Sequence, residues 1–405
     1  MPLRGLWLAA SLLLITIGIA AGQTTILVLG LLLLLAGGAA RLWSRLALTR
    51  VSYERIFPET RAFSGEKLPF TVRLTNRKLL PLPWIEVREH FPDDLPPDGL
   101  RLAPSHLART GYLLRSAALA WYERLNWRYD LVCKRRGYYP IGPVTLRASD
   151  LFGLFPVEQQ VEGVQRIIVY PKVIPLPELG LPSQRPPGER RGGARIYEDP
   201  LRIAGVRDYQ PGDSLRRIDW KATARRGHLQ SRVYEPSATL HLMVALNLAT
   251  LEQTWAGYDP LLLERIVTVA ASLATQANQQ GQAVGLLTNG SFPGADRPIR
   301  ILPGRHPHHL SRILEALATA GPFVISPLEE ILKAESHSLP LGTTLTVVTA
   351  LLPESLLAVL GRLKAAGHHV IVISVKEDGP EGSVNGVSVR NIGGYLRQWE
   401  EEQQP

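Results

Sequence analysis

The sequence predicts three parts in order: an N-terminal transmembrane helical hairpin, a small all-β sandwich-like domain and a C-terminal α/β domain. Three observations carry this. No charged residue falls between positions 6 and 40, a stretch of 35. Residues 51–170 run in short period-two segments separated by turn residues, the pattern of strands with one buried face. Beyond position 241, apolar runs of strand length alternate with stretches of helical spacing, which argues for a largely parallel sheet covered on both faces.

One membrane-spanning helix needs about 20 apolar residues, so the charge-free run is long enough to turn back on itself. Its most polar four residues, Gly22, Gln23, Thr24 and Thr25, divide it into spans at 6–21 and 26–40. A cleaved signal peptide is the alternative, but the small residues Ala20, Ala21 and Gly22 are followed at once by the second apolar run, so cleavage would still leave an anchor. Arg4 precedes the first span, and Arg41, Arg45 and Arg50 follow the second. By the positive-inside rule both termini are expected in the cytoplasm, which places the protein in the inner (plasma) membrane with its soluble domains cytoplasmic. Cys133 is the single cysteine, which excludes an internal disulfide and fits a reducing compartment. The 405 residues hold 45 Lys and Arg against 36 Asp and Glu, a net charge of +9 that suits an anionic membrane surface as well as nucleic acid. Charged residues at 20% and apolar residues at 45% exclude both wholesale disorder and a polytopic transporter.

Residues 1–50 are thus assigned to two transmembrane helices and a basic juxtamembrane segment, and 51–170 to the β-rich domain. The clearest alternation lies at 67–76 and 84–90 and continues at 125–133, 142–149 and 166–170. Residues 171–200 carry prolines at 171, 175, 177, 182, 186, 187 and 200, with Arg-Gly pairs between them. That composition predicts a linker, too stiff for coil and too polar for core. The α/β domain is assigned to 201–395 and a tail to 396–405. Strands are expected at 241–246, 283–287, 344–349 and 370–375, and helices at 261–278, 309–320 and 354–366. Gly281 and Gly367 stand where helix C-caps are needed before a strand.

The most unusual segment joins linker to sheet and contains, in order, Tyr209, Gly212, Asp213, Arg216, Asp219, Trp220, Lys221 and Arg225. This string resembles the signature of the domain of unknown function 58 family, in which Tyr-x-x-Gly-Asp, an Arg and Asp-Trp-Lys precede a strand. The upstream runs Arg136-Gly137-Tyr138-Tyr139 and Asp150-Leu151-Phe152-Gly153-Leu154-Phe155 also look like that family's preceding segment. The resemblance implies a membrane-anchored bacterial or archaeal protein with a von Willebrand factor A-like α/β domain. It also implies association with a MoxR-type AAA+ ATPase, and it brings no established catalytic activity.

Residue chemistry gives two readings of the segment. Pro211-Gly212-Asp213 is a turn. Between 195 and 232 nine basic residues face five acidic ones, a net +4. In the structural reading Asp213 and Asp219 lock Arg216, Lys221 and Arg225 into a clip, with Trp220 as its apolar plug. In the binding reading the excess of arginine accepts an anion or an acidic partner through bidentate contacts.

No metal and no cofactor are expected. A von Willebrand A-type Mg²⁺ site needs an Asp-x-Ser-x-Ser loop, whereas the loop here offers Asn247, Ala249 and Leu251. His306, His308 and His309, and the pair His368 and His369, have no carboxylate or thiolate at ligand spacing. The run 285–290 reads as a strand ending in a tight turn and lacks phosphate-loop spacing. No Gly-x-Ser-x-Gly elbow occurs. Tyr138 and Tyr139 beside Lys134, Arg135 and Arg136 give the one hint of nucleic-acid binding, and none is expected. The expectation is a membrane-anchored, non-enzymatic protein-interaction or scaffold protein whose partners are the lipid bilayer and an AAA+ ATPase. The alternatives are an enzyme of unknown chemistry using Asp213, Asp219, Lys221 and Arg225, or a basic nucleic-acid-binding protein.

Overall fold

Two helices, Leu3–Ala20 (α1) and Thr24–Ala47 (α2), fold back on each other through Gly22, whose φ of 60° is left-handed and favours glycine. Small residues let the two backbones approach: a Cβ at Gly37 would lie 2.3 Å from the Trp7 ring. The computed structural model describes residues 3–181, 198–210, 218–236, 241–253, 257–292, 295, 297–336, 338–340 and 343–402. The chain divides into two units, Met1–Lys172 and Val173–Pro405.

The hairpin differs from expectation in its lengths. Among the described residues only Thr24–Ala47 is long and apolar enough to cross a membrane, and the apolar stretch of α1, Gly5–Ala20, is shorter. α2 continues through Arg41 and Arg45 instead of stopping at Ala40, because its last residues enter the β core, where Ala47 and Leu48 are buried. Lys78 closes its C-terminus. Its ammonium donates to the carbonyls of Ala47 at 2.6 Å and Thr49 at 2.9 Å, and burial pushes its pKa down to about 8.

The β part of the first unit comprises β1 (Val51–Ile56), β2 (Arg61–Phe63), β3 (Lys67–Asn76), β4 (Leu82–Pro92), β5 (Ala103–Pro104), β6 (Thr110–Leu119), β7 (Arg124–Val132), β8 (Gly137–Ile141), β9 (Val144–Ala148), β10 (Val157–Val161) and β11 (Gln165–Tyr170). They form sheets ordered β1-β3-β7, β10-β9-β4-β6-β5 and β2-β11-β8. All pairings are antiparallel except β2 with β11. The alternation read from the sequence is the burial pattern: in β3, Leu68, Phe70, Val72 and Leu74 point into the core. Register gathers several strand ends at one pole. Val51 pairs with Asn76, Thr75 with Arg124, Leu82 with Leu119 and Ile85 with Ala148. The loops 77–81, 120–123 and 149–156 therefore share the end of the β unit where α2 arrives.

Glu89 brings a carboxyl into this core. Glu89 on β4 is 1% exposed, and its Oε1 lies 3.3 Å from Nε of Arg55 without an aligned hydrogen bond. Burial pushes its carboxyl up to about 7, against the opposing pull of Arg55. The other nitrogens of Arg55 donate to the carbonyls of Ile141 and Gly163.

The second unit begins with apolar residues of the expected linker: Ile174, Leu176, Leu179 and Leu181 are buried, with Leu176–Leu179 a 3₁₀ turn beside the later helices. Residues 173–181 thus belong to a core despite their prolines, and 182–197 lie outside the described residues. There follow β12 (Glu198–Asp208), α3 (Trp220–Arg226), β13 (Gln230–Pro236), β14 (His241–Asn247), α4 (Pro260–Gln279), β15 (Ala283–Ser291), β16 (Pro298–Gly304), α5 (His309–Thr319) and α6 (Leu328–Glu335). The chain ends with β17 (Thr344–Thr349), α7 (Glu354–Ala365), β18 (His369–Ser374), β19 (Gly382–Val384), β20 (Val387–Asn391) and α8 (Gly393–Glu402).

The seven-stranded sheet is ordered β16-β15-β14-β17-β18-β20-β19, with parallel pairing from β15 to β20 and an antiparallel strand at each edge. Gly281 and Gly367 take φ of 72° and 97° after α4 and α7, as helix stops require. β15 runs on to Ser291 instead of turning at 288–290, because β16 pairs back along it. A side chain at Gly290 would meet Leu248 at 2.5 Å. Of the residues expected as a tail, 396–402 belong to α8, which Arg265 on α4 clips down, and 403–405 lie outside the described residues. Arg265 is buried and donates to Glu400 at 2.9 and 2.6 Å and to Glu377 at 3.4 Å.

Candidate functional site

The signature segment lies on a two-stranded ribbon. β12 and β13 pair antiparallel, with Val206 opposite Arg232, Arg207 opposite Ser231 and Asp208 opposite Gln230. α3 precedes β13, tied to it by a bridge between Ile218 and Ser231. Asp219 is the N-cap of α3: its Oδ1 accepts from the amides of Lys221 and Ala222, both at 3.0 Å. Gly227, with φ of 75°, ends the seven-residue helix after about two turns and lets the chain enter β13.

Gln230, which sequence reasoning missed, is the hub. It is fully buried. Its backbone N–H donates to Thr223 Oγ1 at 3.0 Å, and its carbonyl accepts from the Asp219 amide at 2.9 Å. Its side-chain amide donates to Asp208 at 2.5 Å and accepts from Arg226 at 3.1 Å. His228 adds a 3.0 Å contact to the same Asp208 oxygen. These partners, Gln230 first, hold the Asp208 carboxyl below the usual aspartate range. The signal was present in the sequence: Gln230 and Arg232 are two apart on a strand and so share one face.

The structural clip is corrected in its partners. Asp219 pairs with Arg232, Nε to Oδ2 at 3.1 Å, and reaches Lys221 only through that residue's backbone. The side chains of Lys221 and Arg225 are exposed and make no ion pair among the described residues. Trp220 is 68% exposed and plugs nothing among the described residues. The reason is local: capping aims Asp219 at the amides, and the first residue of so short a helix then projects outward. Tyr209 is half-buried, its N–H donating to the Leu229 carbonyl at 2.9 Å. Gly212, Asp213 and Arg216 lie outside the described residues.

A cost of about 3–5 kcal/mol for removing a desolvated charge does not transfer to a cap partly open to water. The Asp219 carboxyl is held below its usual range by the Ala222 amide first and Arg232 second. Its contribution is therefore present above the ordinary aspartate pKa and is lost as pH falls through the lowered one. Asp219→Ala is expected to speed hydrogen exchange at amides 221–227 while leaving the unfolding midpoint of the sheet core in place. Asp219→Asn is expected to stay close to wild type, since asparagine caps as well as aspartate.

A second polar group closes the ends of the central strands. Asn247 Oδ1 accepts from Asn289 Nδ2 at 2.8 Å and from the Ala249 amide at 3.2 Å, while its Nδ2 donates to Thr349 Oγ1 at 3.2 Å. Asn289 Oδ1 accepts from the Leu248 amide at 2.8 Å. Thr250 Oγ1 accepts from the Asp259 amide at 2.8 Å, and Asp259 caps α4. Each of these side chains is spent on the fold. No group of three or more His, Cys, Asp or Glu that could hold a metal ion occurs among the described residues. His309 is buried against the Val284 carbonyl at 2.7 Å.

Comparison with known proteins gives a relative described as "Uncharacterized protein YeaD" from Bacillus subtilis (strain 168), 25% identical over 331 residues, 81% of this chain and 76% of that protein. Among solved structures, the CARDB domain of a Pyrococcus furiosus protein matches 29% of this chain and 91% of its own at 11% identity and a TM-score of 0.20. The sporulation control protein Spo0M from Bacillus subtilis matches 30% of this chain and 50% of its own at 12% identity and a TM-score of 0.19. At those scores neither likeness bears on the fold. The ribbon, α3 and the greater part of the sheet together form the stretch, residues 205–383, that matches the family described as "Protein of unknown function DUF58".

Proposed function

We propose that this is a membrane-anchored, non-enzymatic protein-interaction protein that docks an acidic protein partner on α3. Trp220 carries the proposal. Folding gives no reason to leave a tryptophan 68% exposed, and tryptophan is enriched where a partner buries a few dominant side chains. Lys221 and Arg225 beside it, exposed and without an ion pair among the described residues, set the sign of the partner's surface. The resemblance of the segment supports a MoxR-type AAA+ ATPase as that partner, and the helix-flanked parallel strands support a von Willebrand A-like reading of the sheet. The length of α2 supports a membrane anchor, and the basic flanks of the hairpin support an inner-membrane protein with its soluble units in the cytoplasm. Asp219 uses both carboxylate oxygens on the cap and Arg232, which supports a structural over a catalytic role for that residue.

The test is co-expression of the full chain with a MoxR-type ATPase, mild detergent extraction and size-exclusion chromatography. Co-elution is expected for the wild type and is expected to be lost in Trp220→Ala and in Lys221→Glu with Arg225→Glu, at unchanged thermal unfolding. Absence of co-elution, or co-elution indifferent to these substitutions, would overturn the proposal.

A further inference from the structure

We propose that the pole of the β unit from which α2 emerges is a second membrane-contact surface, seated in the headgroup layer of an anionic bilayer. The proposal rests on the membrane-anchor reading and adds to it a surface outside the helices.

Three loops at this pole present Leu79, Trp121, Tyr122, Leu151, Phe152 and Leu154, each more than half exposed. Floppy loops would hide such side chains, but these are held open. Asp150 is buried and accepts from the amides of Phe152 at 3.0 Å and Phe155 at 2.7 Å. Gly153, at φ of 71°, turns the chain between them. Asn76 donates to the carbonyls of Leu80 at 3.0 Å and Ala120 at 2.8 Å, joining the other two loops. The Tyr122 amide completes that tie through the Lys78 carbonyl at 3.3 Å. A fold that fixes apolar and aromatic tips outward on three loops at one end has an apolar neighbour for them.

Contacts with the hairpin set the depth. The Ser44 hydroxyl donates to the Phe155 carbonyl, and the Phe155 ring meets Trp7 edge-on with centroids 5.9 Å apart. Ser44 lies one helical turn beyond Ala40, the last residue of the charge-free run. At a rise of about 1.5 Å per residue that is roughly 6 Å past the apolar boundary. The headgroup layer occupies about 5–7 Å on each side of the hydrocarbon core, so the tips share its level with Trp7 and Trp43.

Charge selects the lipid. Arg41, Arg45, Arg50, Arg77 and Arg124 are exposed around the same pole. The acids within the three loops are Glu123 and Asp150, and both turn onto backbone amides, Glu123 accepting from Ala120 at 2.6 Å. Aromatic tips ringed by arginines match an anionic interface, where the ring seats at headgroup level and the cations meet lipid phosphates.

The experiment places nitroxide labels in the full chain, in a Cys133→Ala background, by Trp121→Cys and Phe152→Cys. Leu107→Cys serves as a control at the opposite pole and Leu32→Cys as a control on α2. Collision with oxygen and with a water-soluble nickel chelate is read in nanodiscs of mixed phosphatidylglycerol and phosphatidylcholine. The oxygen-to-nickel ratio at 121 and 152 is expected to stand several-fold above that at 107 and to fall in pure phosphatidylcholine. Ratios at 121 and 152 equal to that at 107, with Leu32 lipid-exposed, would overturn the surface and leave the anchor standing. A water-exposed Leu32 would overturn the anchor and the surface together. Ratios indifferent to lipid charge would overturn the anionic selectivity.

Discussion

Raising the pH from 4.5 to about 7 is expected to cost the β unit about 3 kcal/mol through Glu89 alone. The sign follows from the direction of the shift. The folded-state carboxyl titrates near 7 and the unfolded one near its ordinary value of 4.5, so between those values the folded chain binds more protons. The contribution is fully present below 4.5 and is lost as pH rises through 7. Burial wins over the Arg55 counter-charge because the pair meets at 3.3 Å without an aligned hydrogen bond, while two of the guanidinium nitrogens serve carbonyls. Glu89→Gln is expected to flatten this slope. Arg55→Met is expected to move the titration further up and to cost about 3–5 kcal/mol at pH 8, shrinking as Glu89 protonates. Urea unfolding of the full chain in detergent, followed by Trp84 and Trp127 fluorescence across pH, measures both. A slope unchanged in Glu89→Gln would assign the titration to another group.

The second large effect is an asymmetry around Arg265. Glu400→Ala is expected to cost about 3–5 kcal/mol, because it leaves a buried guanidinium that cannot shed its proton. Glu377, at 3.4 Å and also paired with Arg397, compensates poorly. Arg265→Met is expected to cost much less, since its volume is nearly matched and the stranded carboxylates, 27% and 40% exposed, rehydrate. Urea midpoints of the two variants and of their double mutant give the coupling. Equal losses in the two single variants would mean that packing of α8, and not desolvation of the arginine, sets the cost.

The sequence was legible wherever one face of an element is buried. Period-two alternation marked β3 over its full length, and the strand at 344–349 was bounded to the residue, because β17 is buried along nearly all its length. Elements stabilised by partners distant in sequence were not legible. α8, with four charged residues in ten, reads as a tail until Arg265, over a hundred residues earlier, is seen to donate to Glu400. At the site, the motif singled out Asp219 and Trp220, but it did not show that Asp219 caps α3 or that Trp220 faces outward. A charge cluster in sequence gives no directions, and an N-cap aims its carboxylate at amides instead of the neighbouring cations. Gln230 escaped because its four bonds go to four different residues, none of which names it as a partner in a linear reading.

The burial of Ala47 and Leu48, with Lys78 bolted across the helix end, has a mechanical consequence. A helix that ends in a flexible joint is a tether, and its load can swing at any angle. α2 has no such joint, so it acts as an axle: any tilt or rotation imposed on it is passed as torque into the β core that its last residues enter. Bilayer thickness, which sets the tilt of a long apolar helix, would then set the inclination of the β unit over the lipid surface.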